Sequence, residues 1–254
     1  MAFLQVNFFS QALRQAASMN VLVPNAGPGP FPVFYLLHGL SDDHTIWQRR
    51  TSIERYVEPL PLIVVMPTTA RGFYTNAATA PGLAYEDHIV KDTVGFMDRM
   101  FPTIKSRAGR AIGGLSMGGY GAVKLALKHP SLFCSAHSHS GALLGAFRKP
   151  NETPRLGEDQ QCEFDAIFGA DTFNSPNDPL HLAALCPQAK RPALHIDCGK
   201  QDFLLQANRT FHKHLLKNKY AHIYKEHPGE HNWAYWDQHI QEALAFHCKN
   251  LGIK

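Results

Sequence analysis

Short apolar runs and longer segments with helical periodicity alternate along this chain of 254 residues. Residues 31–37 and 62–66 are almost entirely apolar, which is typical of strands buried on both faces of a sheet. Residues 85–101 instead place their apolar side chains on one helical face, and Pro102 ends that helix. The predicted strands cover residues 3–9, 18–23, 31–37, 62–66, 132–136, 193–198 and 222–226, together with a strand that ends near 113, and the predicted helices cover residues 85–101, 120–128, 204–217 and 233–247. Strands that alternate with helices indicate an α/β fold with a mostly parallel sheet covered on both faces.

Residues 142–190 interrupt this alternation, because they contain five prolines and only short helical pieces. An insertion after the end of a strand is where a lid over an active site would lie. A surface excursion that never touches substrate is an equally good interpretation. No linker and no internal repeat divides the chain, so we expect a single domain over residues 1–254 with an insertion at 142–190.

Composition narrows the class of protein. Hydrophobic residues make up 44% and charged residues 18% of the chain, as in globular proteins, and the net charge of +4 is not concentrated in a basic run. No segment reaches the roughly 18 apolar residues of a membrane span, and residues 1–20 lack the pattern of a secretory signal. The five cysteines are odd in number and have no CxxC spacing, which favours free thiols in a reducing compartment. We therefore expect a cytoplasmic protein with neither a nucleic-acid nor a membrane partner.

The five residues from Gly114 to Gly118 carry the strongest chemical signal. They read Gly-Leu-Ser-Met-Gly and fit the nucleophile elbow, in which a serine occupies a strained turn between a strand and a helix. The glycines allow close packing of the two backbone segments around that turn. A glycine-rich turn that only packs a helix on a strand is the alternative. Because a predicted strand precedes the motif and a predicted helix follows it, we identify Ser116 as the candidate nucleophile.

A serine nucleophile needs a general base, and the base needs a carboxylate that orients it. In α/β hydrolases the acid follows the serine, on a loop after a later strand. Asp202 occupies such a loop after the strand at 193–198 and is our candidate acid, although a helix N-cap is its structural alternative. Asp197 is a weaker candidate because it lies within the strand.

The base should follow the acid on the next such loop. His231 lies between the strand at 222–226 and the last helix, and it is our candidate among the fifteen histidines of the chain. His227 comes directly at the end of that strand and His239 lies within the helix, so neither is placed as well. Asp237 also lies on that helix and is a poor candidate for the acid.

The intermediate of acyl transfer carries an oxyanion that backbone N–H groups stabilise. One donor is expected from Met117, directly after the nucleophile, and the other from the loop after the strand at 31–37. In that loop Gly39 permits a tight turn, and Leu40 is the expected donor. We expect His38 to brace the loop rather than to act in catalysis.

Two further groups of residues are candidates for binding a metal ion or a substrate. The pairs His137 with His139 and His212 with His214 have spacings that could bind a metal, but no cysteine or carboxylate completes either pair. We therefore expect no metal and no cofactor. The aromatic residues proposed as walls of a substrate pocket, each with an ordinary packing role as the alternative, are Trp47, Tyr74 and Phe147.

With these residues assembled, the chain resembles the esterase D family of α/β hydrolases, and most closely its bacterial tributyrin-esterase branch. Residues 35–40, 113–122, 202–204 and 229–233 carry the resemblance, which spans nearly the whole chain. The chain is more distantly similar to S-formylglutathione hydrolases and feruloyl esterase domains. Residues 142–190 show no motif of the family, and Leu115 stands where glutathione-thioester hydrolases usually carry histidine.

The resemblance implies an α/β-hydrolase fold and a serine carboxylesterase that acts on short acyl esters without a cofactor. It implies the same Ser116, Asp202 and His231 triad as the argument from position, and it makes a homo-oligomer plausible. The alternatives are an S-formylglutathione hydrolase, an acyltransferase on the same scaffold and a binding protein that lost catalysis. The intact triad argues against the last of these.

Overall fold

A computed structural model describes residues 1–80, 82–143, 158–169 and 172–253. Eight strands form one sheet, in the spatial order β1-β2-β4-β3-β5-β6-β7-β8. The strands are β1 (Ala2–Ser10), β2 (Gln15–Val23), β3 (Val33–Leu37), β4 (Ile63–Pro67), β5 (Arg110–Leu115), β6 (Ser135–His139), β7 (Ala193–Gly199) and β8 (His222–His227). The two N-terminal strands are antiparallel to their neighbours, and the six from β3 to β8 are parallel. The expected mostly parallel sheet is therefore confirmed.

Helices cover both faces of the sheet. They are α1 (Ile46–Arg50), α2 (Ile53–Val57), α3 (Tyr85–Asp87), α4 (Val94–Met100), α5 (Met117–Lys128), α6 (Glu158–Phe168), α7 (Pro179–Leu185), α8 (Leu205–Lys217) and α9 (Trp233–Leu251). The segment His88–Thr93 between α3 and α4 is π-helical, so the helix predicted at 85–101 is one run with a wider turn in its middle. Single 3₁₀ turns occur at Arg107–Gly109 and Gln188–Lys190.

The strand period of two divides the apolar side chains between two cores. In β3, Phe34 and Leu36 join the core that α1, α2 and α9 cover, whereas Tyr35 and Leu37 join the core on the opposite face. All five residues of β3 are buried, which is why this strand reads as a continuous apolar run.

The fourth parallel strand, β6, begins three residues later than predicted. Residues 132–136 are the most apolar part of this region, but the backbone N–H of Leu132 still donates to His129 in the turn that ends α5. The strand β6 consists of Ser-Ala-His-Ser-His, and each of these residues is buried between β5 and β7. Because four of its five side chains are polar, hydrophobicity alone does not predict this strand.

The described parts of the insertion pack on the loop that follows β4. Arg71 forms a two-pronged ion pair with Glu163 of α6 at 2.6 Å, and the Phe73 ring packs tilted against Phe164 and edge-on against Phe168. Helix α7 contacts α5 and α8. These contacts hold the described parts of residues 142–190 against the loop after β4 and against α5 and α8, while residues 144–157, 170 and 171 lie outside the described residues.

Candidate active site

Ser116 lies at the junction between β5 and α5 with φ +52° and ψ −115°. This left-handed conformation is costly for a residue with a Cβ, and the surrounding backbone must hold it. Glycines make the junction possible: a Cβ on Gly114 would lie 2.6 Å from the carbonyl oxygen of Leu37, and one on Gly118 would lie 2.6 Å from that of His38. The turn therefore projects the serine out of the carboxyl edge of the sheet.

The structure brings the three candidate triad residues together. The His231 Nε2 lies 3.1 Å from the Ser116 Oγ, and its Nδ1 lies 2.8 Å from the Asp202 Oδ2. The serine follows β5, the aspartate follows β7, and the histidine follows β8. Because parallel strands end at the same edge, three residues that are far apart in sequence meet there.

The environment of Asp202 keeps its carboxyl ionised. Burial alone would raise its pKa, but hydrogen bonds from His231, the Ser140 hydroxyl and the Leu204 N–H outweigh burial and lower it. An ionised carboxylate at Nδ1 fixes the tautomer in which Nε2 faces the serine as an acceptor.

The rival acid and the rival bases lie elsewhere. Asp197 is buried within β7 and accepts hydrogen bonds from His139 at 2.7 Å and from the Tyr235 hydroxyl at 2.9 Å. His227 and His239 stack on each other with ring centres 4.0 Å apart. Neither of these histidines has a hydrogen bond to Ser116 in the described part of the chain.

The loop after β3 lies against the nucleophile. A Cβ on Gly39 would lie 2.7 Å from a methyl group of Leu115 and 3.9 Å from the Ser116 Cβ, so a larger residue here would have to displace the end of the Leu115 side chain. Leu40 lines the cleft beside the serine, and the Met117 N–H is the first amide of α5. Neither of these two N–H groups donates to another residue within the described ranges, which suits them to an oxyanion.

His38 holds that loop in place, as expected. Its Nδ1–H donates to the Gly39 carbonyl at 2.7 Å, and its Nε2 accepts from the Thr69 N–H at 3.0 Å. Tyr74 donates its hydroxyl to the carbonyl of His38 at 2.9 Å. Burial lowers the pKa of His38 to about 4, so the ring is neutral and can accept and donate at once.

The cleft at Ser116 has a volume of about 450 Å³. Its apolar wall consists of Leu40, Leu115, Phe203, Trp233 and Trp236. Phe203 is 76% exposed and its ring lies 4.5 Å from the His231 ring. Sequence reasoning missed the three aromatic residues, although each lies within five positions of a predicted triad member.

The aromatic residues that the sequence suggested do not form this wall. Trp47 is buried and donates its indole N–H to the Leu37 carbonyl at 3.0 Å, while Trp233 packs edge-on against it from the cleft side. Tyr74 is fully buried beneath the loop that follows β3. Both assignments are corrected in favour of core roles, and Phe147 lies outside the described residues.

The histidine pairs considered as metal ligands have other partners. His137 faces His247 at 2.8 Å, and His139 faces Asp197. On α8, His212 faces His222 at 2.7 Å and His214 faces the carbonyl oxygen of Leu180. The members of each pair therefore point to different partners.

Comparison with known proteins assigns the chain to a family. A family model described as "Putative esterase" matches residues 10–247. The chain belongs to this esterase family. An acetyl esterase of Caldicellulosiruptor saccharolyticus is 26% identical over 98% of this chain and 99% of its own length.

Two solved structures extend the comparison. Fluorophosphonate-binding serine hydrolase F of Staphylococcus aureus is 32% identical, with a TM-score of 0.85 over 97% of this chain and 98% of its own. The S-formylglutathione hydrolase FrmB of the same organism is 31% identical, with a TM-score of 0.83 over the same shares. The α/β-hydrolase fold, the resemblance to esterase D-like enzymes and the class of serine carboxylesterase are thereby confirmed.

Proposed function

We propose that this carboxylesterase hydrolyses short-chain acyl esters through a triad of Ser116, His231 and Asp202. The observation that carries the proposal is the unbroken line of hydrogen-bonding distances from the serine hydroxyl through the imidazole to the carboxylate. A strained serine backbone and a neighbouring glycine loop complete the arrangement. This is the geometry that nucleophilic acyl transfer requires.

The reaction proceeds in two steps. His231 takes the hydroxyl proton of Ser116 as the Oγ attacks the ester carbonyl, and the N–H groups of Leu40 and Met117 stabilise the oxyanion. The histidine then protonates the departing alcohol, leaving an acyl group on the serine. Water, deprotonated by the same histidine, attacks that acyl group, releases the carboxylic acid and restores Ser116. Asp202 stabilises the imidazolium that forms in each step.

The lining of the cleft favours neutral esters over glutathione thioesters. Glutathione carries two carboxylates, whereas no lysine or arginine lines the described cleft. The charged side chain that does line it is Asp42, and burial together with the neighbouring Asp43 raises the pKa of its carboxyl. An anionic leaving group would therefore meet the carboxylate of Asp42 without a lysine or arginine to pair with it.

The first test is the Ser116→Ala variant with p-nitrophenyl acetate. We expect a loss of kcat on the order of 10⁴-fold, because the nucleophile is gone while the cleft is retained. Ser131→Ala, which changes an exposed serine in the turn after α5, is the matched control and should keep full activity. A Ser116→Ala variant that retains more than a few per cent of the turnover contradicts the assignment. A fluorophosphonate probe should label the native protein and not this variant.

The second test separates the possible substrates. Initial rates on p-nitrophenyl esters of increasing acyl length, on methyl ferulate and on S-formylglutathione should be highest with short acyl esters. A higher kcat/KM for S-formylglutathione than for the esters would replace the proposal with a thioester hydrolase. The S-formylglutathione hydrolase FrmB is 31% identical to this chain. Ester products formed with added alcohols would instead indicate an acyltransferase.

We also propose a cytoplasmic location and a homo-oligomer. All five cysteines are free thiols, which fits a reducing compartment. No helix of the described residues combines the length and the apolar character needed to cross a bilayer. The oligomer follows from the family resemblance, and light scattering of the purified protein tests it.

A further inference from the structure

The loop after β3 carries a carboxylate into the cleft at Ser116. The place that a Cβ on Gly39 would occupy lies 3.2 Å from the Asp42 Oδ2 and 3.9 Å from the Ser116 Cβ, so the carboxylate and the nucleophile border the same glycine. Asp42 lines the cleft and is half-buried. The proposed triad makes no use of this carboxylate, because Asp202 already lies beside His231.

The Asp42 carboxylate has no close partner within the described residues, where it accepts no hydrogen bond and forms no ion pair. The neighbouring Asp43, by contrast, accepts hydrogen bonds from the N–H and the hydroxyl of Thr45 at 2.8 Å and 2.6 Å. Burial and the charge of Asp43 raise the pKa of the Asp42 carboxyl, although two arginines of α1 oppose that effect. A cation that entered the cleft would therefore meet a carboxylate that no other group neutralises at close range.

Aromatic rings flank the histidine of the proposed triad. The ring centre of His231 lies 4.5 Å from that of Phe203 and 4.9 Å from that of Trp236. Trp233 packs edge-on against Trp236 at 5.1 Å, and all three aromatic residues line the cleft. Because the histidine protonates the departing alcohol in the proposed mechanism, side chains against its ring face the alcohol half of the ester. The faces of aromatic rings attract cations, and tryptophan attracts them most strongly.

We propose that the cleft favours short acyl esters whose alcohol carries an alkylammonium group, with Asp42, Trp233 and Trp236 as the specificity determinants. The inference rests on the proposed function, since it assigns a class of substrate to the same site. No lysine or arginine lines the described cleft, so no fixed cation there competes for the carboxylate. A neutral alcohol of the same shape would fill the space beside the aromatic rings but leave Asp42 without a partner.

The test compares two esters of the same shape. Acetylcholine carries a trimethylammonium group, and its uncharged analogue carries a tert-butyl group in the same place. The native protein should hydrolyse acetylcholine with a kcat/KM about 3–30-fold higher, because a cation–π contact and a half-exposed ion pair each contribute a few-fold. Asp42→Asn should lower that ratio about 2–5-fold. Asp43→Asn, which removes the same charge one position away and keeps the oxygen that binds Thr45, is the matched control and should retain the native ratio.

A binding measurement distinguishes a failure of this inference from a failure of the proposed function. Ser116→Ala keeps the cleft without the nucleophile, so the Kd of each ester can be measured by NMR titration. Acetylcholine should bind the more tightly of the two, and adding Asp42→Asn should remove most of the difference. Tighter binding of acetylcholine by a protein that hydrolyses neither ester would support the cation site and contradict only the proposed function.

Three results would overturn the cation site even in an active esterase. The first is equal kcat/KM and equal affinity for acetylcholine and its uncharged analogue. The second is a ratio that Asp42→Asn leaves unchanged. The third is a higher kcat/KM for ethylene glycol monoacetate than for acetylcholine, which would show that the carboxylate selects a neutral hydroxyl group instead.

Discussion

His195 gives the sharpest test of the energetics of the sheet. It lies in the middle of β7, is 2% exposed, and has no hydrogen bond to either ring nitrogen in the described structure. Burial, which dominates, together with the nearby His139 and Lys225, lowers its pKa from 6.5 to about 4, against the opposing charges of Asp197 and Glu242. Replacing it with leucine fills similar space and removes both polar atoms.

The size of the effect follows from proton linkage. The folded state keeps His195 neutral, whereas the unfolded chain takes up a proton below pH 6.5, so the stability present above pH 6.5 is lost as the pH falls toward 4. The gap between 6.5 in the unfolded chain and about 4 in the folded protein corresponds to about 3 kcal/mol when the loss is complete. At pH 5 about 2 kcal/mol of it is already lost. The native protein should therefore lose more stability on acidification than the His195→Leu variant does.

The assay is urea unfolding of both proteins at several values from pH 7.5 to pH 5. At pH 7.5 the variant should already be more stable, by about 1–3 kcal/mol, because two unpaired buried nitrogens are gone. Its advantage should grow by about 2 kcal/mol at pH 5. Ile196→Val, next to it in β7, is the control and should cost about 0.5–1.5 kcal/mol at every pH. If the advantage of His195→Leu is the same at pH 7.5 and pH 5, the neutral buried imidazole is refuted.

Three other substitutions test the core and the site. Lys124→Met removes a fully buried ammonium 2.8 Å from Glu86 and should lower the free energy of unfolding, measured by urea titration, by about 3–5 kcal/mol. The control is Lys128→Met, because the Lys128 side chain pairs with the same carboxylate but is 28% exposed, and it should cost less than about 1 kcal/mol. Equal costs would contradict the role of burial. Asp202→Asn should lower kcat by about 10⁴-fold on p-nitrophenyl acetate with an unchanged circular dichroism spectrum, and a loss below tenfold would speak against its role as the orienting acid. Phe203→Ala should lower kcat/KM for methyl ferulate about 3–10-fold relative to ethyl acetate without changing Tm, because a stacked contact between Phe203 and the ferulate ring contributes about 0.5–1.5 kcal/mol. An equal loss on both esters would show that the Phe203 ring acts on His231 instead.

Chain order made the meeting of the three proposed triad residues predictable from sequence. Ser116 is marked by its own neighbours, and Asp202 and His231 each follow a segment that the sequence predicts to be a strand. Parallel strands end at one edge of a sheet, so the order of elements was enough to place the three side chains together. The structure shows the distances that order alone cannot supply.

The walls of the cleft were not predictable in the same way. An aromatic residue can fill a core or line a cleft, and Trp47 and Tyr74 fill cores because their polar atoms find backbone carbonyls there. Phe203 could have been inferred, since it follows the predicted acid directly on an exposed loop. The π-helical turn at His88–Thr93 has no signal in hydrophobic spacing, because one wider turn shifts the pattern by a single residue.

The position of the base in the chain has a consequence for biosynthesis. The hydrogen bond between nucleophile and base joins residues 115 positions apart, and the strand before the base pairs only with β7 at the edge of the sheet. A ribosome that has completed the serine elbow has yet to synthesise the histidine that is proposed to activate it. With the proposed triad, the nascent chain would stay inert toward esters until its last strand joins the sheet, and a reactive serine would form only on the completed fold.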